Sequence, residues 1–486
     1  MDKRGGLYGI CRPVFMNVRQ LTAAVVLSMG WAVGLWAPGA RAEFMPPQAQ
    51  ILSDMVLANN HFTNEWPVPG CASCLPKNHP SNIWTRGTYF EGDLALYRIN
   101  GDPNIYNYAV AWGTFHNWAL WGADSTDTSS DDQCAGQDYI ELYQLDTTQT
   151  NRLTHIVNNV NAWVARTNLG YWSYVDTLHM SMPVFAKLSA LTGSTIYPAK
   201  MYSYFYYTKS VIGPSNGLYN TSDHLWCRDT NFLSGYTASD GTASKCYWSR
   251  GNGWAFAALA RTMDVLSTND AHYGEYLQTF QDMAAALKAV QRPDGFWNVN
   301  LAYANDYPGP ESSGTACFTY GMAWGIRHGC LDTPTYLPVA IAGWNALANS
   351  ALHHSTGADN GFLGYVQGTG NKPADHQPVT YTSQPDFDDF CTGLFLLAGS
   401  QVYQLSSVPG ITLETPNLSQ GQVALNFNVV SSLTNATISL LQTDRLGGGW
   451  TTNASATLST NIAGLSYGFS VPNGASERFY RVQISQ

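Results

Sequence analysis

Charge is scarce in this sequence. Only 12% of its 486 residues are Asp, Glu, Lys or Arg, and the formal net charge is −10. A negative balance makes nucleic acid and anionic membranes poor partners. Metal signatures are missing: there is no His-x-x-Glu-His helix, no EF-hand loop and no paired Cys–His set. There is no Walker loop, and Gly251-Asn252-Gly253 does not follow a strand in a βαβ unit, which argues against dinucleotide binding. The expectation is therefore a protein without cofactor or metal. One apolar run, Leu21 to Leu35, is short for a membrane span and has no stop-transfer flank.

That run has another reading. Arg4, Arg12 and Arg19 precede it, and Pro38 and Ala40-Arg41-Ala42 follow. A basic region, an apolar core and a small-x-small site predict a signal peptide over 1–42, with Met16 as an alternative start. The mature chain is then exported, to a periplasm or outside. Of nine Cys, Cys11 leaves with the signal and eight enter an oxidising compartment. Cys71-Ala72-Ser73-Cys74 could form a tight disulfide, a zinc site being the rival that lacks a second ligand pair nearby, and Cys227 and Cys246 bracket a loop they could close. Cys317, Cys330 and Cys391 read as free buried thiols.

Aromatics are abundant, at 13% with 16 Trp and 28 Tyr. Such a chain can bury a large core, and flat aromatic faces also suit sugar rings. From about Ala49 to Leu405 the pattern is helix after helix. Tyr276, Phe280, Met283, Leu287 and Val290 share one face; Leu178, Met182, Phe185 and Leu188 share another; Phe390, Leu394 and Leu397 share a third. A turn theme recurs between helices: Asn216-Gly217-Leu218-Tyr219, Asp294-Gly295-Phe296-Trp297 and Asn360-Gly361-Phe362-Leu363. Roughly twelve helices in a repeating hairpin predict a closed all-α (α/α)6 barrel over 43–405, with an open solenoid as the alternative. After Ser406 the pattern changes to alternation, as in Val423-Ala424-Leu425-Asn426-Phe427. Residues 406–486 read as a small all-β sandwich without Cys or His, an accessory module with no chemistry assigned.

The polar stretches come next. Tyr247-Trp248-Ser249-Arg250-Gly251-Asn252-Gly253-Trp254 leads into a helix with Phe256, Leu259, Met263 and Leu266 on one face. Its glycines predict a sharp turn with free N–H groups, where an Arg could hold a carboxylate and Trp faces could stack on sugars. Asp176 sits at a helix start among aromatics and thioethers. It could cap the helix, or act as a general acid whose charged form its apolar surroundings disfavour. Asp131 or Asp132 precedes another helix and could merely cap it, or could face Asp176. Asp223-His224-Leu225-Trp226-Cys227-Arg228-Asp229 is a polar–aromatic cluster, either site lining or a charge-paired loop. Glu311-Ser312-Ser313-Gly314-Thr315 reads as a capping turn.

Taken in order, Trp172…Asp176-Thr177-Leu178, the Trp248 to Trp254 stretch, Asp294-Gly295-Phe296-Trp297 and Glu311-Ser312-Ser313-Gly314-Thr315-Ala316 resemble glycoside hydrolase family 105. These are the unsaturated rhamnogalacturonyl and glucuronyl hydrolases, related to family 88. The resemblance spans roughly Ala49 to Leu405 and implies the same (α/α)6 barrel. It implies that Asp176 is the catalytic acid, in an Asp-x-Leu-x-Met context. It implies a second functional acid at Asp132, with Gly136 behind it, ahead of Asp131 and Asp138. Trp248 and Arg250 match the family's uronate pocket and His224 loosely its substrate-binding His; Trp172, in the resembling segment, is a further substrate-binding candidate. The implied substrate is an oligosaccharide left by a lyase, with a C4=C5 double bond in its terminal uronate. No nucleic acid, membrane or cofactor is implied, and the chain would act as a monomer or homodimer. The rivals are a conventional α/α-barrel glycosidase or lyase, using Asp176 and Asp132 as a pair or a Tyr as base, and a non-catalytic glycan-binding protein.

Overall fold

The computed structural model describes residues 16–17, 45–70, 80–383, 389–406, 411–413, 417–419, 421–429, 437–443, 451–462, 466–472 and 479–485. The rest of the expected signal peptide and Cys71 to Cys74 lie outside the described residues. The chain divides into two compact units, one of Gln48–Leu405 and one of Ser406–Gln486 with Met1–Pro47.

The first unit holds twelve α-helices among the described residues: α1 (Gln48–Glu65), α2 (Trp84–Asn100), α3 (Pro103–Phe115), α4 (Ser130–Leu145), α5 (Thr154–Ala165), α6 (Thr177–Thr192), α7 (Ile196–Ser210), α8 (Ser249–Val265), α9 (Tyr273–Ala289), α10 (Ser312–Arg327), α11 (Thr333–Ala346) and α12 (Asp389–Ser406). Their burial alternates. In α9 a single stripe is covered, Tyr276, Thr279, Phe280, Met283, Ala284 and Leu287, as expected for a helix with one wet face. In α8 and α10 nearly every residue is buried, including the small Ala255, Ala257, Ala258, Ala316 and Gly321. Small residues all round let a helix be surrounded by others. Accordingly α2 packs on α4, α4 on α6, α6 on α8, and α8 on α10. Helix α12 comes back against α2, where a Cβ on Gly92 would lie 2.1 Å from the carbonyl oxygen of Gly393.

The turn theme has a steric cause. Gly217, Gly295 and Gly361 all have positive φ, at 106°, 86° and 90°. Each also lies against backbone of a neighbouring segment, so a side chain there is excluded twice over. The glycines at the start of α8 work differently from the sequence expectation. Gly251-Asn252-Gly253 is helical, not a turn. A Cβ on Gly253 would lie 2.8 Å from that of Cys317, and one on Gly314 would lie 2.1 Å from Ser249 Oγ, so these glycines let α8 and α10 approach closely.

In the second unit two antiparallel sheets share a core. Thr457–Ile462, Ser466–Pro472, Gln422–Val429 and Ile411–Leu413 form one sheet, in which Asn417–Ser419 also pairs with Gln422–Val429. Met16–Asn17, Phe479–Ser485, Thr437–Thr443 and Thr451–Thr452 form the other. Val423, Leu425 and Phe427 alternate inward and meet Phe469 and Val471, with Leu440 and Tyr480 from the second sheet.

Cys227 and Cys246 are free buried thiols, not a disulfide; the Cys227 Sγ donates to the carbonyl of Phe232 at 3.3 Å. Cys317, Cys330 and Cys391 form no disulfide either; Cys317 and Cys391 are buried as expected, while Cys330 is only half-buried.

Candidate active site

The N-terminal turns of the even-numbered helices meet at one place. Trp84 opens α2, Asp131 lies in the first turn of α4, Asp176 precedes α6, and Arg250 lies in the first turn of α8. These four line a cavity of about 270 Å³, together with Tyr174, Met180, Arg228, Trp254 and the loop at Thr369 and Gly370. The first turns of α10 and α12 stand behind Arg250: Arg250 Nη1 donates to Ser313 Oγ at 3.2 Å, and its guanidinium lies 5.0 Å from the ring of Phe390. Helix N-termini carry unpaired N–H groups and a partial positive charge, so this end of the unit favours an anion.

Asp176 is not a helix cap. It occupies the N-cap position of α6 with αR backbone, and its side chain makes no capping hydrogen bond. Its Oδ2 instead accepts from Arg228 Nε at 3.1 Å. Arg228 is steered on three sides. Its Nη1 donates to Asp229 at 3.0 Å, its guanidinium lies 4.5 Å from the Tyr174 ring, and its carbonyl accepts from Val175 N at 2.8 Å. The Tyr174–Asp229 bridge thus ties the chain before α6 to the segment that carries Arg228, just after the short hairpin of Tyr219–Asn220 and Leu225–Trp226.

The second carboxylate in the cavity is Asp131, where the sequence reading favoured Asp132. Tyr174 Oη donates to Asp131 Oδ1 at 3.2 Å. Burial, and then the charge of Asp176, push the Asp131 carboxyl up to about 6. Asp132 is one residue on, so helical geometry turns it about 100° away. It packs against Asp127 and Gly122 in the loop before α4, and burial with the charges of Asp127 and Asp131 pushes it up to about 8. Asp138 is buried in the helix core with neither oxygen hydrogen-bonded, away from the cavity.

Three other expected residues lie off the cavity. Trp172 is fully buried and stacks on Tyr204 at 5.0 Å, so it is core. His224 stands on the short hairpin, 40% exposed, facing Asp282 at 3.8 Å. Trp248 is buried and donates its indole N–H to Gln367 Oε1 at 2.8 Å; its ring carries Arg250 at 4.5 Å. Arg250 does line the cavity. Its Nη1 and Nη2 also donate to the carbonyls of Gln367 and Gly368, both at 2.7 Å, which fastens the loop at Thr369 to α8. Glu311 is the cap the sequence suggested, accepting from the N–H groups of Ser313 and Gly314.

Arg228, Trp84 and Tyr174 escaped assignment in the sequence. For Arg228 a signal existed: it lies inside the Asp223 to Asp229 cluster, beside Trp226. Nothing local distinguishes Trp84 from other Trp residues. Among the described residues no group of His, Cys, Asp and Glu is placed to hold a metal ion, and no helix is long and apolar enough to cross a membrane.

The cavity thus brings together two carboxyls, two guanidinium groups and two indoles. The sequence pattern described as Glycosyl Hydrolase Family 88 matches residues 58–406. The chain belongs to glycoside hydrolase family 88. Among family relatives, an unsaturated 3S-rhamnoglycuronyl hydrolase of Formosa agariphila is 29% identical over 340 residues, 66% of this chain and 84% of that protein. A solved family 88 glycosyl hydrolase from Bacteroides vulgatus is 30% identical, with a TM-score of 0.65 over 74% of this chain and 100% of its own. A solved protein described as a polysaccharide lyase is 29% identical, with a TM-score of 0.65 over 74% of this chain and 99% of its own.

Proposed function

We propose that this family 88 protein removes a terminal 4,5-unsaturated uronic acid from lyase-generated oligosaccharides. We read the even-numbered helices as the inner ring of an (α/α)6 barrel of the family 105 and 88 kind, and the chain as exported by the signal at 1–42. The observation that carries the activity is the grouping of Asp176, Arg228 and Asp131 in one cavity between Trp84 and Trp254.

The chemistry starts from the substrate. Its C4=C5 bond is a vinyl ether, conjugated to the ring oxygen. Asp176 gives a proton to C4, leaving an oxocarbenium-like centre at C5. Water adds at C5 and returns its proton to the same carboxylate. The hemiketal then opens and the remaining sugar leaves. One acid that becomes a base suffices, unlike the two-carboxylate arrangement of ordinary glycosidases. Arg228 is the group suited to the uronate carboxylate, since its Nη2 is not used by Asp176 or Asp229.

A lyase is the second reading, favoured by the 29% identical polysaccharide lyase. It needs a base for the C5 proton, and Tyr174 is the phenol in the cavity. Burial and Asp131 push that phenol well above its usual range, which makes it a poor base. One assay separates the two. On lyase-generated unsaturated oligosaccharides, hydration removes the double-bond ultraviolet absorbance. On saturated uronate oligosaccharides, elimination creates it. Absorbance loss on the unsaturated panel is expected; gain on the saturated panel alone would overturn the proposal.

A further inference from the structure

Beneath the cavity lies a charged cluster that the chemistry above does not use. Glu91, His179 and Arg261 come from α2, α6 and α8, and the side chains of Glu91 and His179 are fully buried. Glu91 lies seven residues after Trp84, and Arg261 seven after Trp254. Two helical turns are roughly 10 Å, so each charge stands directly below one of the two cavity indoles. His179 lies one turn below Asp176.

The contacts run in a chain. His179 Nε2 is 2.9 Å from Glu91 Oε2, and Arg261 Nη2 is 3.5 Å from the same oxygen. Burial alone would push the Glu91 carboxyl up, yet Arg261 and His179 hold it below the usual carboxylate range. An ionised carboxylate only accepts, so Nε2 carries the hydrogen and the imidazole plane is set by that bond. Gln137 of α4 completes the frame: it donates to the His179 carbonyl at 2.8 Å and accepts from Arg261 at 3.0 Å. The oriented imidazole then lies 4.7 Å from the Trp254 ring, and Trp254 meets Trp84 edge-on at 6.0 Å.

We infer that His179 is a positioning residue for the substrate wall: Glu91 and Arg261 orient its imidazole, and the imidazole sets the indole of Trp254. The inference rests on reading the cavity as the sugar site, and concerns how that site keeps its width. A buried charged cluster costs desolvation that an apolar core avoids, so its presence here is understandable if orientation, rather than stability, is what it supplies.

The test uses ¹⁹F NMR of 5-fluorotryptophan-labelled protein beside kinetics. Trp254→Phe identifies the Trp254 resonance by its loss. His179→Ala is compared with Phe185→Ala, a second buried truncation on α6. The expected result is a shifted or broadened Trp254 resonance in His179→Ala alone, with kcat/KM on unsaturated disaccharide lowered roughly tenfold to a hundredfold. Trp254→Ala combined with His179→Ala should cost little more than either single change. An unchanged Trp254 resonance, or the same change in Phe185→Ala, would overturn the inference. If His179→Ala does not fold, His179→Phe keeps a ring and loses the Glu91 bond, and the same criteria apply. The resonance needs no substrate, so absent turnover in the wild type would sink the proposed activity while this readout still decides the role of His179.

Discussion

Asn252 holds Trp226 by both of its main-chain groups. Its Oδ1 accepts from Trp226 N at 2.8 Å, and its Nδ2 donates to Trp226 O at 3.0 Å. Two residues past the end of its strand, Leu225–Trp226, Arg228 reaches Asp176. The first turn of α8 therefore sets a hairpin whose cation serves a carboxylate at the head of α6.

Asn252→Ala should for that reason impair activity without touching the cavity. It leaves a buried N–H and C=O unpaired, at a cost of about 1–3 kcal/mol for each group. Loss of kcat/KM beyond what the thermal midpoint explains is expected. A variant with reduced midpoint and full kcat/KM at low temperature would show that Arg228 is held without Asn252.

Asp176→Asn should fold, bind unsaturated disaccharide, and lose nearly all turnover. The side chain makes no cap hydrogen bond, so a capping role cannot explain such a loss. Removing a general acid lowers the rate roughly 10²–10⁴-fold. Thermal midpoint, binding and the rate of absorbance loss are measured together; a near-wild-type rate would move the acid role to Asp131.

The two arginines should separate. Arg228→Lys replaces a guanidinium bonded to both Asp176 and Asp229 with a point charge, and should cost roughly 1–3 kcal/mol in kcat/KM. Arg250→Lys breaks the fork that grips Gln367 and Gly368, and should lower the thermal midpoint by roughly 2–4 °C as well as weaken binding. If only Arg250→Lys weakens binding, Arg250 rather than Arg228 receives the uronate.

Asp131 should leave a mark on stability against pH. Its carboxyl rises from the ordinary 3.8 to about 6, so the folded state holds the proton more tightly than the unfolded chain. That contribution favours folding in full below the unfolded value and is lost as pH rises through about 6. Asp131→Asn removes the ionisation. The variant's midpoint should gain on the wild type between about pH 4 and about pH 7, and keep a constant lead above that. Parallel curves for the two proteins would show that Asp131 titrates normally.

Much of this architecture is written locally. Helical stripes such as Tyr276 to Leu287, the positive-φ turn glycines and the alternation at Val423 to Phe427 follow from short-range rules, and the structure has each. Asp176, Arg250 and the Glu311 cap stood in recognisable stretches. What the sequence withheld was direction. Asp131 and Asp132 are adjacent, and which one faces the cavity depends on how α4 is rotated in its packing. Trp172 and Trp248 have the composition of a sugar platform but are claimed by core contacts with Tyr204 and Gln367. Arg228 reaches Asp176 across 52 residues, a pairing that exists only once the hairpin is seated.

In a chain of net charge −10, the N-termini of the even-numbered helices and the two cavity arginines are the groups that favour an anion. An anionic oligosaccharide is thus repelled at long range and attracted at short range. Salt screens the distant part first, because the Debye length at about 0.1 M is near 10 Å, while contacts inside the cavity are screened far less. Modest ionic strength should therefore speed productive encounter, the reverse of the behaviour of an enzyme steered by its overall field.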